Sequence, residues 1–299
     1  MIKVESLYKS FEKIKVLNNI NLNVKKGSIY GLIGPNGAGK TTLIKHLTGT
    51  FKQDKGKITI DGEPIYENIK TKQKIGYIPD ELFFFSQYNI KQMASFYKKI
   101  YPTWNQKRYE NLQKFFNINE KRKISHLSKG MQRQVAFWLT LSIMPKVMIL
   151  DEPIDGLDPL IRKKVWNLII QDVAEREMSV LISSHNLKEI ENVCDYVGIL
   201  NNGEIVLERD LDDLKSDIYK IQVAYKNDIP QKLINKDNIL YKEKRGSVWV
   251  LIMKGNQKDC LNLINSYNPL FVDVLPLTLE EIFMYELGGE GYEIEGIIL

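Results

Sequence analysis

The chain has 299 residues, 43% hydrophobic and 26% charged, and its 42 Lys+Arg against 37 Asp+Glu leave a net charge of +5. That length suits two domains, and that composition buries a core, so a disordered, fibrous or disulfide-stapled chain is excluded. The basic excess contains no run of five cations, which argues against nucleic acid as a partner, and the two cysteines, Cys194 and Cys260, match neither a zinc spacing nor a disulfide framework.

The N-terminal MIKVESLYKSFEK has no apolar core of the kind a signal peptide needs. A strand is expected over Ser28–Ile33, and it runs directly into Gly34-Pro35-Asn36-Gly37-Ala38-Gly39-Lys40-Thr41-Thr42 and then a helix over Thr41–Leu47. This is G-x-x-x-x-G-K-[ST] between a strand and a helix, the context in which glycines let backbone N–H groups close around phosphate oxygens at a helix N-terminus. Lys40 would reach the β- and γ-phosphates, and the Thr41 hydroxyl would coordinate Mg²⁺. Further strands are expected at Lys57–Ile60 and Lys74–Ile78. Residues 80–104 then carry eight aromatics: Phe83, Phe84, Phe85, Tyr88, Phe96, Tyr97, Tyr101 and Trp104. Three adjacent aromatics, Phe83 to Phe85, cannot all point inward, so at least one should be exposed. Phe96, Tyr97 and Trp104 are expected to pack inside.

Ser128 precedes a helical pattern over Gln132–Met144 in an N-cap position, where its hydroxyl and the Gly130 N–H form an anion site. A capped helix without a ligand explains the same residues taken alone. KVMILDEP places a buried strand, Val147–Leu150, immediately before Asp151 and Glu152. A central strand delivers a carboxylate at its C-terminal edge, so Asp151 fits the Mg²⁺ side and Glu152 can polarise an attacking water. A helix over Pro159–Glu175 and a strand over Val180–Ser183 lead to His185, and YVGILNNGEIVLE reads as two strands turning at Asn202-Gly203. Strands apolar throughout, alternating with helices, indicate an α/β domain with a parallel sheet.

From residue 215 the texture changes to a small appended β/α domain, with strands in IYKIQVAYK, SVWVLIMK and LFVDVLPL and helices in NQKDCLNLINSY and TLEEIFMYELGG. The tail GYEIEGIIL is expected to be a loose terminus. The longest strictly apolar run, Val248 to Met253, is far short of the roughly 20 residues of a membrane span, so a membrane role must come through a partner.

Taken together, these segments resemble the ATP-binding cassette of ABC transporters over about residues 1–210. LSKGMQRQ (Leu127 to Gln134) is similar to the LSGGQ signature, with Lys129 and Met131 as departures. IDGLDP (Ile154 to Pro159) is similar to the D-loop, with Asp158 its key acid; His185 resembles the switch histidine, and Phe11 stands where an aromatic stacks on adenine. The usual Gln after GYIP is Asp80 here, a hard oxygen ligand for Mg²⁺ that cannot donate a hydrogen bond when ionised. Asp80 with an LSKGM signature resembles ABC-2-type exporters of the bacitracin and lantibiotic-export kind.

The resemblance implies a P-loop NTPase cassette over 1–214, built from a RecA-like core, an antiparallel β subdomain and a helical subdomain at about 82–140, with a β/α accessory domain over 215–299. It implies an ATPase that uses ATP and Mg²⁺ and lies at the cytoplasmic face of the membrane. Ser128, Gly130 and Asp158 would close on ATP held by a second ATP-binding subunit, and integral membrane permease subunits would dock near Phe83–Tyr88. A soluble non-transport ABC ATPase acting on ribosomes or DNA is the competing reading, but such factors usually carry two cassettes or a long coiled-coil insert, and only 88 positions separate Lys40 from Ser128.

Overall fold

The computed structural model describes residues 1–154 and 156–288, so Asp155 and the GYEIEGIIL tail lie outside the described residues. By packing, the chain divides into two compact units: Met1–His185 with Tyr196–Glu208, and Asn186–Asp195 with everything from Arg209 onward.

The first unit opens with strands β1 (Ile2–Phe11) and β2 (Ile14–Val24), then β3 (Ile29–Ile33) and helix α1 (Lys40–Leu47). Strands β4 (Lys55–Ile60) and β5 (Glu63–Pro64), the short α2 (Ile69–Lys72) and β6 (Ile75–Ile78) follow, and then helices α3 (Ile90–Ile100), α4 (Gln106–Phe116) and α5 (Lys129–Ser142). Next come β7 (Val147–Asp151), α6 (Pro159–Arg176) and β8 (Ser179–Ser184); α7 (Leu187–Val193) belongs to the second unit; β9 (Tyr196–Asn201) and β10 (Glu204–Asp210) complete the series.

Two sheets result. One is β2-β1-β4-β5, antiparallel; the other is β10-β9-β3-β8-β7-β6, in which β3, β6, β7, β8 and β9 run parallel. Every residue of β3, β7 and β8 is buried, as befits strands covered on both faces. The strand expected at Lys57–Ile60 is present as β4, but it lies in the antiparallel sheet. One core joins the sheets: Ile2, Val4, Leu17 and Ile60 from the first pack with Leu32, Ile149 and Leu181 from the second and with Leu43, Ile44 and Leu47 of α1.

Helices α3 to α5 carry the expected helical segment. Asn89 caps α3 reciprocally with Gln92, and Asn105 caps α4. Trp138 of α5 is fully buried, stacks on Tyr109 of α4 at 4.8 Å and donates to the Tyr109 carbonyl. Arg108 of α4 and Arg176 both pair with the buried Asp172 of α6, at 2.9 and 3.0 Å, tying the helical segment to the core.

In the second unit, α8 (Leu211–Ser216) leads to β11 (Ile218–Ala224), α9 (Gln231–Ile234), β12 (Ile239–Arg245), β13 (Val248–Lys254), α10 (Gln257–Asn265), β14 (Phe271–Leu275) and α11 (Leu279–Gly288). The sheet order is β12-β13-β11-β14, all antiparallel, which makes β11 to β14 a split β-α-β-β-α-β unit. Its core packs Ile221, Val223, Leu251 and Met253 against Leu233, Cys260 and Ile264. Thr278 and Glu281 cap α11 reciprocally, and α11 packs against α7 and α8. β12 and α9, which carry weak periodicity, are additions to the sequence expectation. No helix among the described residues is long and apolar enough to cross a membrane.

Candidate active site

The end of β3 delivers the chain at Gly34 to a loop that closes at Gly39, the residue before α1. Gly39 has φ 108°, and a Cβ there would sit 3.0 Å from Leu17 and 3.1 Å from the Val16 carbonyl; Gly37 has φ 83°. Both lie in the region L side chains avoid, which is why the loop needs glycine at these positions. Lys40, the first residue of α1, is buried, and its Nζ donates to the carbonyls of Gly34 (2.5 Å) and Pro35 (3.1 Å). Burial lowers its ammonium pKa, and Glu152 and Asp151 act in the opposite direction.

A cavity of about 230 Å³ lies over this loop, lined by Asn36, Gly37, Gly39, Lys40, Thr41 and Thr42 and, from the far side, by Asp80, Asp151 and Glu152. The carboxylates come from two adjacent parallel strands. β6 ends at Ile78, two residues before Asp80, and β7 ends at Asp151. Asp151 is 2% exposed and accepts a hydrogen bond from the Ser183 hydroxyl at the end of β8. Glu152 follows with φ 45°, a left-handed conformation uncommon outside glycine, and its N–H donates to the Ser183 carbonyl at 3.1 Å. His185 Nδ1 lies 2.9 Å from Glu152 Oε2. Asp80, Asp151 and Glu152 are therefore gathered beside Lys40 and Thr41. Gly34 and Ala38 serve the loop differently. Both are buried, and a Cβ on Gly34 would lie 2.2 Å from the Leu200 carbonyl.

The remaining sequence-predicted residues lie outside this cavity. Phe11, at the tip of the β1–β2 hairpin, is 40% exposed, with Phe51 edge-on at 5.5 Å and Lys9 over its ring. Ser128 caps α5 by accepting from the Met131 N–H at 3.3 Å. Gly130 follows, and a Cβ there would lie 2.6 Å from the Gly156 carbonyl, so the signature helix and the segment before α6 meet backbone to backbone. Asp158 caps α6, accepting from the N–H groups of Leu160 and Ile161. Phe83 (81% exposed) and Phe85 (40%) project, Phe84 and Tyr88 are half-buried, and Phe85 packs on Tyr88 and Phe96. Phe96, Tyr97 and Trp104 are half-buried.

Two residues were missed from sequence. Ser183 left a signal in SSH, a hydroxyl at the end of an apolar strand. Arg133 left a fainter one, a cation set on the helix just before its buried stretch Val135–Ser142.

Known proteins identify the family. Residues 17–155 match the model of the ABC transporter family. The chain is 33% identical over 290 residues, 97% of its own length and 99% of the relative's, to the ABC transporter ATP-binding protein YtrB of Bacillus subtilis. The chain belongs to the ABC transporter ATP-binding family. A second member, the lantibiotic transport ATP-binding protein SrtF of Streptococcus pyogenes, is 36% identical over 220 residues, covering 71% of this chain and 92% of the relative. A solved ATP-binding subunit of an ABC transporter superposes with TM-score 0.68 and 28% identity, over 72% of this chain and 92% of that one. The cassette is thus a P-loop α/β ATPase that hydrolyses ATP as a subunit of a transporter, working with membrane permease subunits as a dimer. The soluble ribosome- or DNA-acting alternative falls away.

Proposed function

We propose that this cassette powers an exporter of the ABC-2 kind, in which two copies of the chain, or this chain and a paralogue, close around ATP at the cytoplasmic face of the membrane. The observation that carries the reading is the split of the site. Phosphate loop, Asp80, Asp151 and Glu152 line one cavity, while Ser128, Gly130 and Asp158 lie outside it, with Ser128 and Asp158 exposed at helix N-termini.

In this reading Lys40 and the loop N–H groups hold the β- and γ-phosphates, and Phe11 stacks on the adenine. The donors available for Mg²⁺ are hard oxygens: the Thr41 hydroxyl, Asp151 and Asp80. Such oxygens suit a cation that takes its other ligands from phosphates and water. Mg²⁺ would neutralise charge developing on the transferring phosphoryl group. Glu152 accepts the proton of the attacking water, and His185, against its carboxylate, reaches the γ-phosphate. Each active site needs Ser128, Gly130 and Asp158 from the other copy. The exposed Phe83 and Phe85 anchor a short segment of the permease. The lantibiotic transport in SrtF's name makes a peptide-like or amphiphilic cargo the first to try.

One purification tests both contacts. Glu152→Gln, with saturating ATP and its permease co-expressed, should run as an ATP-bound dimer that carries the permease. Adding Phe83→Ala and Phe85→Ala should keep the dimer and lose the permease. A Glu152→Gln complex with one ATPase chain would refute the shared site, and full recovery of permease with the aromatic pair removed would place docking elsewhere.

A further inference from the structure

Arg133 stands on the fifth position of α5, behind the cavity and outside its lining. Its residue is 7% exposed. One arm of the guanidinium donates to the carbonyl of Glu152 at 2.8 Å, and the other donates to the carbonyl of Asp80, also at 2.8 Å, with the Asp80 carboxylate at 3.7 Å. We infer that Arg133 is a positioning residue for hydrolysis, clamping the backbone of Glu152 to the backbone of the Asp80 loop so that the base and the loop facing it keep one fixed spacing across the site. The inference rests on the reading of Glu152 as the base that activates water.

A cation taken out of water is costly unless its donors are satisfied. Two main-chain carbonyls and a carboxylate at 3.7 Å satisfy this one while leaving both acidic side chains directed to the cavity. A planar fork suits the task, because its arms diverge toward two acceptors in the loops that follow two different strands; a lysine is a point donor and can serve one carbonyl well. Glu152 is the residue that needs such a clamp. Its backbone sits at φ 45°, and it is gripped at three places: the N–H by the Ser183 carbonyl, the C=O by Arg133, and the carboxylate by His185. Release of the carbonyl lets the peptide relax toward an ordinary conformation and carries the carboxylate with it. The other end of the clamp, Asp80, lies three residues before Phe83, so the same guanidinium spans from the aromatic run's loop to the base. A pure packing role would predict a different behaviour: loss of fold, or loss of nucleotide binding, with no specific dependence on Glu152.

The test compares Arg133→Lys and Arg133→Gln, each alone and combined with Glu152→Gln, in the full-length chain. The measurements are fluorescent-nucleotide affinity, thermal midpoint and single-turnover hydrolysis at saturating ATP and Mg²⁺. A displacement of about 1 Å at a reacting group is worth roughly 10²-fold in rate, so hydrolysis should fall by about 10- to 100-fold, with Lys milder than Gln and nucleotide affinity changed less than about twofold. In the Glu152→Gln background the Arg133 substitutions should cost almost nothing further, because a clamp on an absent base has nothing left to position. Wild-type hydrolysis in both Arg133 variants overturns the inference. So does a loss that simply multiplies with that of Glu152→Gln, or a collapse of fold or nucleotide affinity in both variants. Undiminished hydrolysis in Glu152→Gln alone would instead remove the base assignment, and the inference with it.

Discussion

The two halves of the candidate site are built differently. On the phosphate-loop side, residues of the loop, of α1, of the end of β7 and of the loops after β6 and β7 converge on one cavity, and its polar groups are held by neighbours: Lys40 by loop carbonyls, Asp151 by Ser183, Glu152 by His185. On the signature side, Ser128 and Asp158 cap their own helices, and both lie at the surface. The first half is a preorganised electrostatic site, where fixed dipoles and charges act without reorganising. The second half is a preformed surface whose chemistry depends on what is brought to it. On the proposed shared-site reading, a chain so divided binds nucleotide alone and hydrolyses it in company.

Three measurements would sharpen or break that contrast. The largest effect belongs to the preorganised half: Lys40→Ala should lower steady-state ATPase to background, a fall on the order of 10²–10³-fold, because the buried ammonium stabilises charge that develops on the phosphoryl group. Turnover that survives would empty the cavity of its assigned role. In the other half, Gly130→Ala should leave the nucleotide affinity of the isolated chain intact and lower hydrolysis about tenfold. The new Cβ, 2.6 Å from the Gly156 carbonyl, must push the signature helix away from the segment leading to Asp158. Reduced nucleotide affinity in the lone chain would show that the halves are not separable.

How much of this was legible depended on the range of each contact. The phosphate loop is contiguous, so its strand, glycines, lysine and helix all sit in one window of sequence. Asp151 and Glu152 were legible because a buried strand announces where it ends. Arg133 was not, because its partners are backbone carbonyls 19 and 53 positions away, and a carbonyl leaves no mark on residue identity. β1 and β2 also escaped, since register shifts along the pair and positive φ at Ser6 and Asn19 break the period-2 signal. β12 was hidden by its charges: Lys242, Glu243, Lys244 and Arg245 make an edge strand read as a loop.

The smallest effect concerns pH. His46, buried on α1 behind the phosphate loop, has its Nδ1 2.7 Å from the Thr42 carbonyl, and burial lowers its pKa below the ordinary 6.5, with Lys9 acting in the same direction. The folded chain therefore resists a proton that the unfolded chain accepts. Its contribution to stability is complete above about pH 6.5 and is lost as the pH falls below it, at no more than about 1.4 kcal/mol per pH unit. The thermal midpoint should drop between pH 7.5 and 5.5, and by less in His46→Gln. An equal drop in both would assign the acid sensitivity to other groups.

The discontinuity of the second unit bears on the order in which the protein can be made. Helix α7 follows His185 by one residue, yet Leu279, which donates to its Glu191, stands 88 positions further along the chain. Leu187 and Ile190 are buried, α7 packs with α11, and the Leu279 N–H donates to the Glu191 carboxylate. A chain emerging from the ribosome can close its two sheets as soon as β10 is out, since domains assemble as their residues appear. α7 then waits for its contact with α11 until the residues from Leu279 onward arrive. The helix that leaves the histidine beside Glu152 is thus the last piece of the cassette's sequence to find its neighbours. A nascent or truncated chain would meet the quality-control machinery with that contact unmade.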